Sequence, residues 1–195
     1  MLVTDVTCTE RTGEGSGEDN MSKRLVLMHG APASGKSTFI REIGLEYLSI
    51  SPDNLRLLLS EPKEETVDNH ICLQINQDNN KKVWDLAFQL LEERLQNGSD
   101  TFFDACNFTQ DYINRYKKMA NLYDFQVMVI DFSSLPLDTL LARNKRRLYF
   151  YDGLRYVPEQ VVKDIYQKME PVPKGIFTID ATQPDARDRF MELWQ

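Results

Sequence analysis

Eight consecutive residues constrain this chain more than any others: Gly30, Ala31, Pro32, Ala33, Ser34, Gly35, Lys36 and Ser37, with Thr38 directly after. They fit the spacing G-x-x-x-x-G-K-[ST] at every fixed position. They also stand between an apolar run, RLVLMHG, and a helix-forming segment, KSTFIREI. A loop of this kind has its use where a strand turns into a helix. The glycines let the backbone curl so that successive N–H groups point inward, and the helix adds the positive end of its dipole. Such a cradle suits phosphate oxygens. Lys36 is placed to reach the β- and γ-phosphates of a purine nucleoside triphosphate, and Ser37 to hold Mg²⁺ through its hydroxyl. The bland alternative is a glycine-rich turn with an incidental lysine, and the flanking strand and helix argue against it.

The pattern around the loop alternates. Apolar β-type runs are expected at 24–28, 47–50, 100–103, 126–132 and 175–180. Helical stretches are expected at 36–44, 53–60, 81–95 and 110–122, then from Ser134, as a cap with Pro136 in the first turn, to about 147, and again from Pro158. Residues 61–80 are polar and give no clear element. Val83, Trp84, Leu86, Ala87, Leu90, Leu91 and Leu95 recur at helical spacing and are expected in the core. Strands alternating with helices imply right-handed crossovers and a parallel sheet covered on both faces. The class is α/β.

Composition narrows the rest. The chain has 195 residues, 42% hydrophobic and 10% aromatic, enough for one core and too few for two full-sized domains. Its formal charge is −7, and residues 1–20 hold Asp5, Glu10, Glu14, Glu18 and Asp19 against Arg11 alone. We read 1–20 as a flexible acidic leader, whose removal is expected to leave activity and melting temperature unchanged, and 21–195 as the folded domain, with Met21 opening it. The body is then only mildly acidic, so it is not expected to coat nucleic acid through net charge. Cys8, Cys72 and Cys106 are widely spaced, and His29 and His70 are the two histidines, which disfavours a zinc site or a histidine-based hydrolase. No apolar run approaches the roughly 20 residues of a bilayer span. The segment MLVTDVTCTE lacks the features of a secretory signal. A reducing, cytoplasmic location is expected.

Three further elements surround the expected phosphate site. Ser51-Pro52-Asp53-Asn54-Leu55-Arg56 follows the second strand, at the edge where ligands bind in parallel sheets. Asp53 there can take a proton from an attacking hydroxyl, and Arg56, one turn on, can grip an acceptor phosphate. Helix capping is the plainer use of the same residues. Asp104-Ala105-Cys106-Asn107 follows the third strand, and Asp104 is the candidate to hold a Mg²⁺-bound water directly or through Ser37. Asn107 either touches substrate or forms the turn. Asp131 resembles a metal-binding strand end, but Ser133 and Ser134 behind it suggest capping, so it is not chosen. Arg143-Asn144-Lys145-Arg146-Arg147 ends a helix, either as cations favoured at a helix C-terminus or as a lid that neutralises a transferring phosphoryl group. Arg155 adds to it.

With these elements in place the sequence resembles the P-loop polynucleotide 5′-hydroxyl kinases of phage and bacterial nucleic-acid repair enzymes. The resemblance spans about residues 23–175 and rests on GAPASGKST, SPDNLR, FDACN, RNKRR and YVPEQVVKDIYQKM. It implies a P-loop NTPase fold with an arginine-rich helical lid, ATP and Mg²⁺ as cofactors, and a 5′-hydroxyl end of RNA or DNA as substrate, with a nucleic-acid ligase as possible functional partner. Position by position, it implies that Lys36 and Ser37 bind ATP and Mg²⁺, that Asp53 is the general base, and that Arg56 contacts the acceptor phosphate. It also implies that Arg147 meets the ATP phosphates, with Arg143 one turn earlier, and that Asp104 serves the metal. Cys106 departs from the family's threonine, the aromatic segment LYFYDGLRY is longer than expected, and no D-x-D-G-T phosphatase motif occurs. Tyr149, Phe150, Tyr151 and Tyr156 suit either base stacking or, as we favour, packing of the lid. Two rivals stay open: a small-molecule kinase of the same fold, acting on a nucleoside, nucleotide or metabolite, and a non-catalytic ATP-binding switch.

Overall fold

The computed structural model describes residues 23–150 and 154–194. Both the expected leader and Tyr151 lie outside the described residues. Five strands form one parallel sheet: β1 (Arg24–His29), β2 (Ser49–Ile50), β5 (Thr101–Phe103), β6 (Gln126–Asp131) and β7 (Phe177–Asp180). Their order is β2-β5-β1-β6-β7, so the strand that leads into the phosphate-binding loop is central. It is held along its whole length by β6, from Arg24 opposite Gln126 to His29 opposite Asp131.

Helices cover both faces, which is why β1 reads as an uninterrupted apolar run. Leu25 and Leu27 face α3 (Asn80–Gln96) and α4 (Gln110–Asn121), packing with Val83, Ala87, Leu91, Ile113 and Tyr116. Val26 and Met28 face the other way, onto Phe39 and Ile40 of α1 (Lys36–Glu42) and Phe190 of α7 (Ala186–Trp194). Alternate residues of one strand thus serve two cores. The remaining helices, α2 (Pro52–Leu59), α5 (Leu137–Phe150) and α6 (Glu159–Gln167), stand around the carboxyl edge of the sheet.

The elements depart from the sequence expectations at four places. Residues 61–80 contain an antiparallel hairpin, β3 (Lys63–Val67) and β4 (His70–Gln74). Asp68 and Asn69 turn it with φ of 49° and 63°, the left-handed pair a tight two-residue turn needs. The expected strand 47–50 is largely a single 3-10 turn, Glu46–Leu48, which shortens β2 to two residues. Helix α5 begins at Leu137, and Ser134 does not cap it: its hydroxyl lies 3.0 Å from Thr182 Oγ1 and near Asp180. Helix α7 was not expected, yet it supplies Phe190, which is fully buried.

Candidate active site

Because every strand of the main sheet runs the same way, the segments after β1, β2 and β5 meet at one edge. After β1 the chain turns at Gly30 (φ 152°) and Gly35 (φ 113°), with Ala33 also left-handed at φ 65°. Gly30 is required by space as well as by φ, since a Cβ there would sit 2.8 Å from Phe132 Cβ. The loop is tied to the β5 segment by Gly30 N–H donating to the Cys106 carbonyl at 3.0 Å. The Lys36 ammonium folds over its own loop, donating to the Gly30 and Ala31 carbonyls at 2.9 and 2.8 Å and lying 3.4 Å from Ser34 Oγ. Thr38 follows in the first turn of α1, accepting from Arg41 at 3.4 Å.

Ser37 and Asp104, 67 positions apart, are brought together: Ser37 Oγ donates to Asp104 Oδ2 at 2.6 Å. Burial pushes the Asp104 carboxyl above the usual carboxylate range, against the opposing pull of the Ser37 hydroxyl and the Lys36 charge. Two hard oxygen donors, the Ser37 hydroxyl and a partly buried Asp104 carboxylate, fit a divalent cation such as Mg²⁺. Among the described residues no group of three or more His, Cys, Asp or Glu forms a cage. An ion at Ser37 and Asp104 would therefore take its other ligands from water and phosphate, as Mg²⁺ ordinarily does.

On α2, Ser51 caps the helix, accepting from Asn54 N–H at 3.5 Å, so capping and site-building use one segment. Asp53 is half exposed, while Arg56 is buried, and the two pair at 2.8 Å. Arg56 also donates to Asn80 Oδ1 on α3, while its buried Nε finds no partner. The arginine expected to reach outward is thus held between α2 and α3, steadying the Asp53 carboxylate.

The lid residues divide. Arg143 Nη1 donates to the Ser34 carbonyl at 2.9 Å, docking α5 on the phosphate-binding loop. Arg147 Nη1 donates to the Arg155 carbonyl at 3.0 Å, and Arg155 Nη2 to Asn54 Oδ1 at 3.1 Å, which carries the chain after α5 back to α2. Burial and then the neighbouring Arg155 charge lower the Arg147 pKa, against the pull of Asp53. Asn144, read as part of a polar run, is instead fully buried and fixes both backbone groups of Val157, at 2.6 and 3.1 Å. Asn107 forms the turn: its amide donates to the Met28 carbonyl at 2.8 Å, and His29 Nδ1 donates to its carbonyl at 2.8 Å. Asp131 accepts from Ser133 N–H and Oγ at 2.8 and 3.0 Å, closing a local turn rather than capping α5, which begins only at Leu137. Burial raises the Cys106 thiol pKa.

Two cavities flank this machinery. The larger, of about 1110 Å³, is bounded by Lys36, Asp53, Arg56 and Asp104, by Lys63, Glu65 and Gln74 of the hairpin, and by Trp84, Phe88, Tyr112 and Arg115 of α3 and α4. Tyr156 also lines it. The smaller, of about 680 Å³, lies between the loop, Phe132, Arg143 and Thr182. Ala33, Gly35, Thr38 and Arg147 line both. Trp84, expected in the core, does double duty: it packs against the buried cluster and faces the larger cavity. Sequence reading missed Arg115, Tyr112 and Gln74 altogether. Only the Asp68-Asn69 turn signalled that the hairpin existed.

Fold and site together define an α/β P-loop NTPase fold, arranged as a P-loop kinase-like ATP-binding domain. The chain belongs to the AAA domain family AAA_33, whose model matches residues 25–172. No curated protein sequence matches it. Among solved structures it is similar to Kti12 of Chaetomium thermophilum in complex with ADP-AlF3, at 16% identity and a TM-score of 0.61, covering 87% of this chain and 97% of that one. It is also similar to a chain of the Pnkp1/Rnl/Hen1 RNA repair complex, at 16% identity and a TM-score of 0.59, covering 84% of this chain and 52% of that one. The APS kinase CysC of Mycobacterium tuberculosis in complex with AMPPNP and APS is similar at 13% identity and a TM-score of 0.54, covering 89% of this chain and 98% of that one. At these identities the likeness is one of fold.

Proposed function

We propose that this chain is an ATP- and Mg²⁺-dependent kinase that transfers the γ-phosphate to the 5′-hydroxyl end of RNA or DNA. The observation that carries the proposal is the pair of cavities sharing the phosphate-binding loop as a wall. A switch needs one nucleotide pocket, whereas a phosphotransferase needs donor and acceptor on either side of the transferring group. In this reading adenosine lies against Arg143 and Thr182, the phosphates pass over Gly30–Thr38, and the acceptor enters beside Asp53.

The acceptor oxygen attacks the γ-phosphorus as its proton passes to an Asp53 carboxylate oxygen. The bond from the γ-phosphorus to the β–γ bridging oxygen breaks, and ADP leaves. Lys36 and Arg147 neutralise charge spreading over the γ-phosphoryl oxygens, and Arg143 holds the loop against the lid. Arg56 orients Asp53 and lies beside the acceptor's nearest phosphate. Mg²⁺ at Ser37 and Asp104 would supply further charge neutralisation on the phosphates. The fold of a chain from an RNA repair complex is in keeping with this. The same reading takes 21–195 as the kinase domain and a nucleic-acid ligase as the enzyme that acts on the product.

The acidic side chains Glu65, Asp78 and Asp85 along the larger cavity favour the second reading, a kinase for a small hydroxylic metabolite. Transfer from γ-labelled ATP with Mg²⁺ to a parallel set of acceptors separates them. The set comprises 5′-hydroxyl RNA and DNA oligonucleotides, nucleoside 3′-phosphates, nucleosides and 5′-mononucleotides. Label on oligonucleotide 5′ ends, lost in Lys36→Ala and Asp53→Ala, is the expected result. Label on small acceptors alone gives the metabolite kinase, and no transfer to any acceptor gives the switch.

A further inference from the structure

The geometry points to Arg115 as an anion subsite for the phosphodiester beyond the first acceptor nucleotide, so that the preferred acceptor is an oligonucleotide rather than a mononucleotide; this rests on the polynucleotide reading above. One wall of the larger cavity is made by α3 and α4. On it Phe88 stacks against Tyr116 and Phe103, with ring centroids 5.5 and 5.9 Å apart, and Trp84 stacks against Phe103 at 6.2 Å. Arg115 sits over Phe88 with its guanidinium carbon 3.7 Å from the ring centroid. A guanidinium seated on a ring is fixed through its face and keeps N–H donors at its edge for a bidentate anion.

The other cations of the cavity are committed. Arg56 pairs with Asp53, Lys63 with Asp78, Lys36 with its own loop, Arg41 with Thr38, Arg147 with the Arg155 carbonyl and Arg155 with the Asn54 side chain. Among the described residues Arg115 has neither a hydrogen bond nor a carboxylate partner, only the ring beneath it. Beside it the exposed Tyr112 and the partly buried Trp84, which lines the cavity, offer faces for a base to stack on. The cavity runs from Lys36 and Asp53 at the phosphate-binding loop to Tyr112 and Arg115 on α4. A chain of two or more nucleotides uses that length, with its end at Asp53 and a later phosphate at Arg115.

The test measures KM for phosphate transfer to a nucleoside 3′-phosphate and to a 5′-hydroxyl tetranucleotide, in wild type, Arg115→Ala and Arg115→Lys. Wild type should prefer the tetranucleotide, and Arg115→Ala should shrink the ratio of the two KM values by about tenfold, the worth of one charged hydrogen-bonded contact. Arg115→Lys, which keeps the charge but loses the planar fork, should fall between them. A ratio that keeps its wild-type value in Arg115→Ala overturns the proposal while leaving the kinase reading intact. Binding of a 3′-fluorescein tetranucleotide, followed by anisotropy across a salt series, is read alongside. Arg115→Ala should weaken it about tenfold and flatten the log–log salt slope by about one. If no acceptor is phosphorylated yet this binding change occurs, the subsite stands and the kinase reading falls. If the anisotropy is the same in wild type and Arg115→Ala, the subsite falls whatever the kinase assay gives.

Discussion

At the scale of single residues, the site is organised by two contacts between groups far apart in the chain, Ser37 with Asp104 and Arg56 with Asn80, while Arg56 also pairs with Asp53 one helical turn away. Lys36→Ala should lower kcat/KM by about 10³-fold, as loss of a charge placed at the transferring phosphoryl does. Asp53→Asn should lower kcat by about 10²–10⁴-fold with a smaller change in KM for ATP, measured by label transfer, because it removes proton acceptance and leaves the fork of Arg56 a partner. Asp104 has a consequence for stability as well as activity. Its folded-state pKa is raised by burial, so without divalent cation the folded state holds the proton more tightly than the unfolded chain. The melting temperature of wild type should then fall as pH rises from the ordinary carboxylate value through the raised one. Asp104→Asn should abolish that slope, melt higher than wild type at neutral pH without Mg²⁺, and gain less than wild type when Mg²⁺ is added. An identical pH profile in the two proteins would count against a buried, unneutralised carboxylate.

At the scale of elements, each functional side chain is presented by an ordinary local device. Ser51 and Pro52 start α2 so that Asp53 falls in its first turn, and Ser51→Ala should cost about 1 kcal/mol by urea unfolding while raising KM for the acceptor. Gly30→Ala should cost about 2 kcal/mol or more, because an added methyl meets Phe132 and the φ is unfavourable for any other residue. The β–α alternation, the phosphate-binding loop and the two further strand-end segments, SPDNLR and DACN, were legible in the sequence, since each depends on neighbours within a few residues. The hairpin was not, because KEETV and HICLQ lack the strong apolar alternation of a half-buried strand. Its Asp68-Asn69 turn was the available signal. Asn144 escaped for a different reason: a cationic run conceals an inward-facing amide whose partner, Val157, arrives only after the chain doubles back.

At the scale of the whole molecule, α7 closes the face of the sheet opposite α3 and α4. Phe190 is fully buried against Phe39, Phe102 and Trp194, so Phe190→Ala should cost about 3–5 kcal/mol, read as a lowered midpoint in chemical unfolding. Where the larger cavity's far wall lies could not be read from sequence, because Trp84, Arg115 and Gln74 come from three elements that only the folded sheet brings into one space. For the same reason Trp84 looked like a core residue: its helical spacing is that of the core, and its exposure depends on what the hairpin leaves open.

The phosphate-binding loop, with cavities on two sides and four residues facing both, also makes the protein a natural target for a tethered inhibitor. Adenosine and a 5′-nucleoside joined through a polyphosphate chain could fill both chambers at once, with the bridge lying along Gly35 and Thr38. The second half would then bind at an effective concentration set by the bridge, on the order of millimolar for a short flexible one, so the conjugate gains over either half most when the bridge matches the loop's span. A series differing only in phosphate number should therefore pass through an optimum in affinity, and that optimum measures, from outside, the thickness of the wall between donor and acceptor.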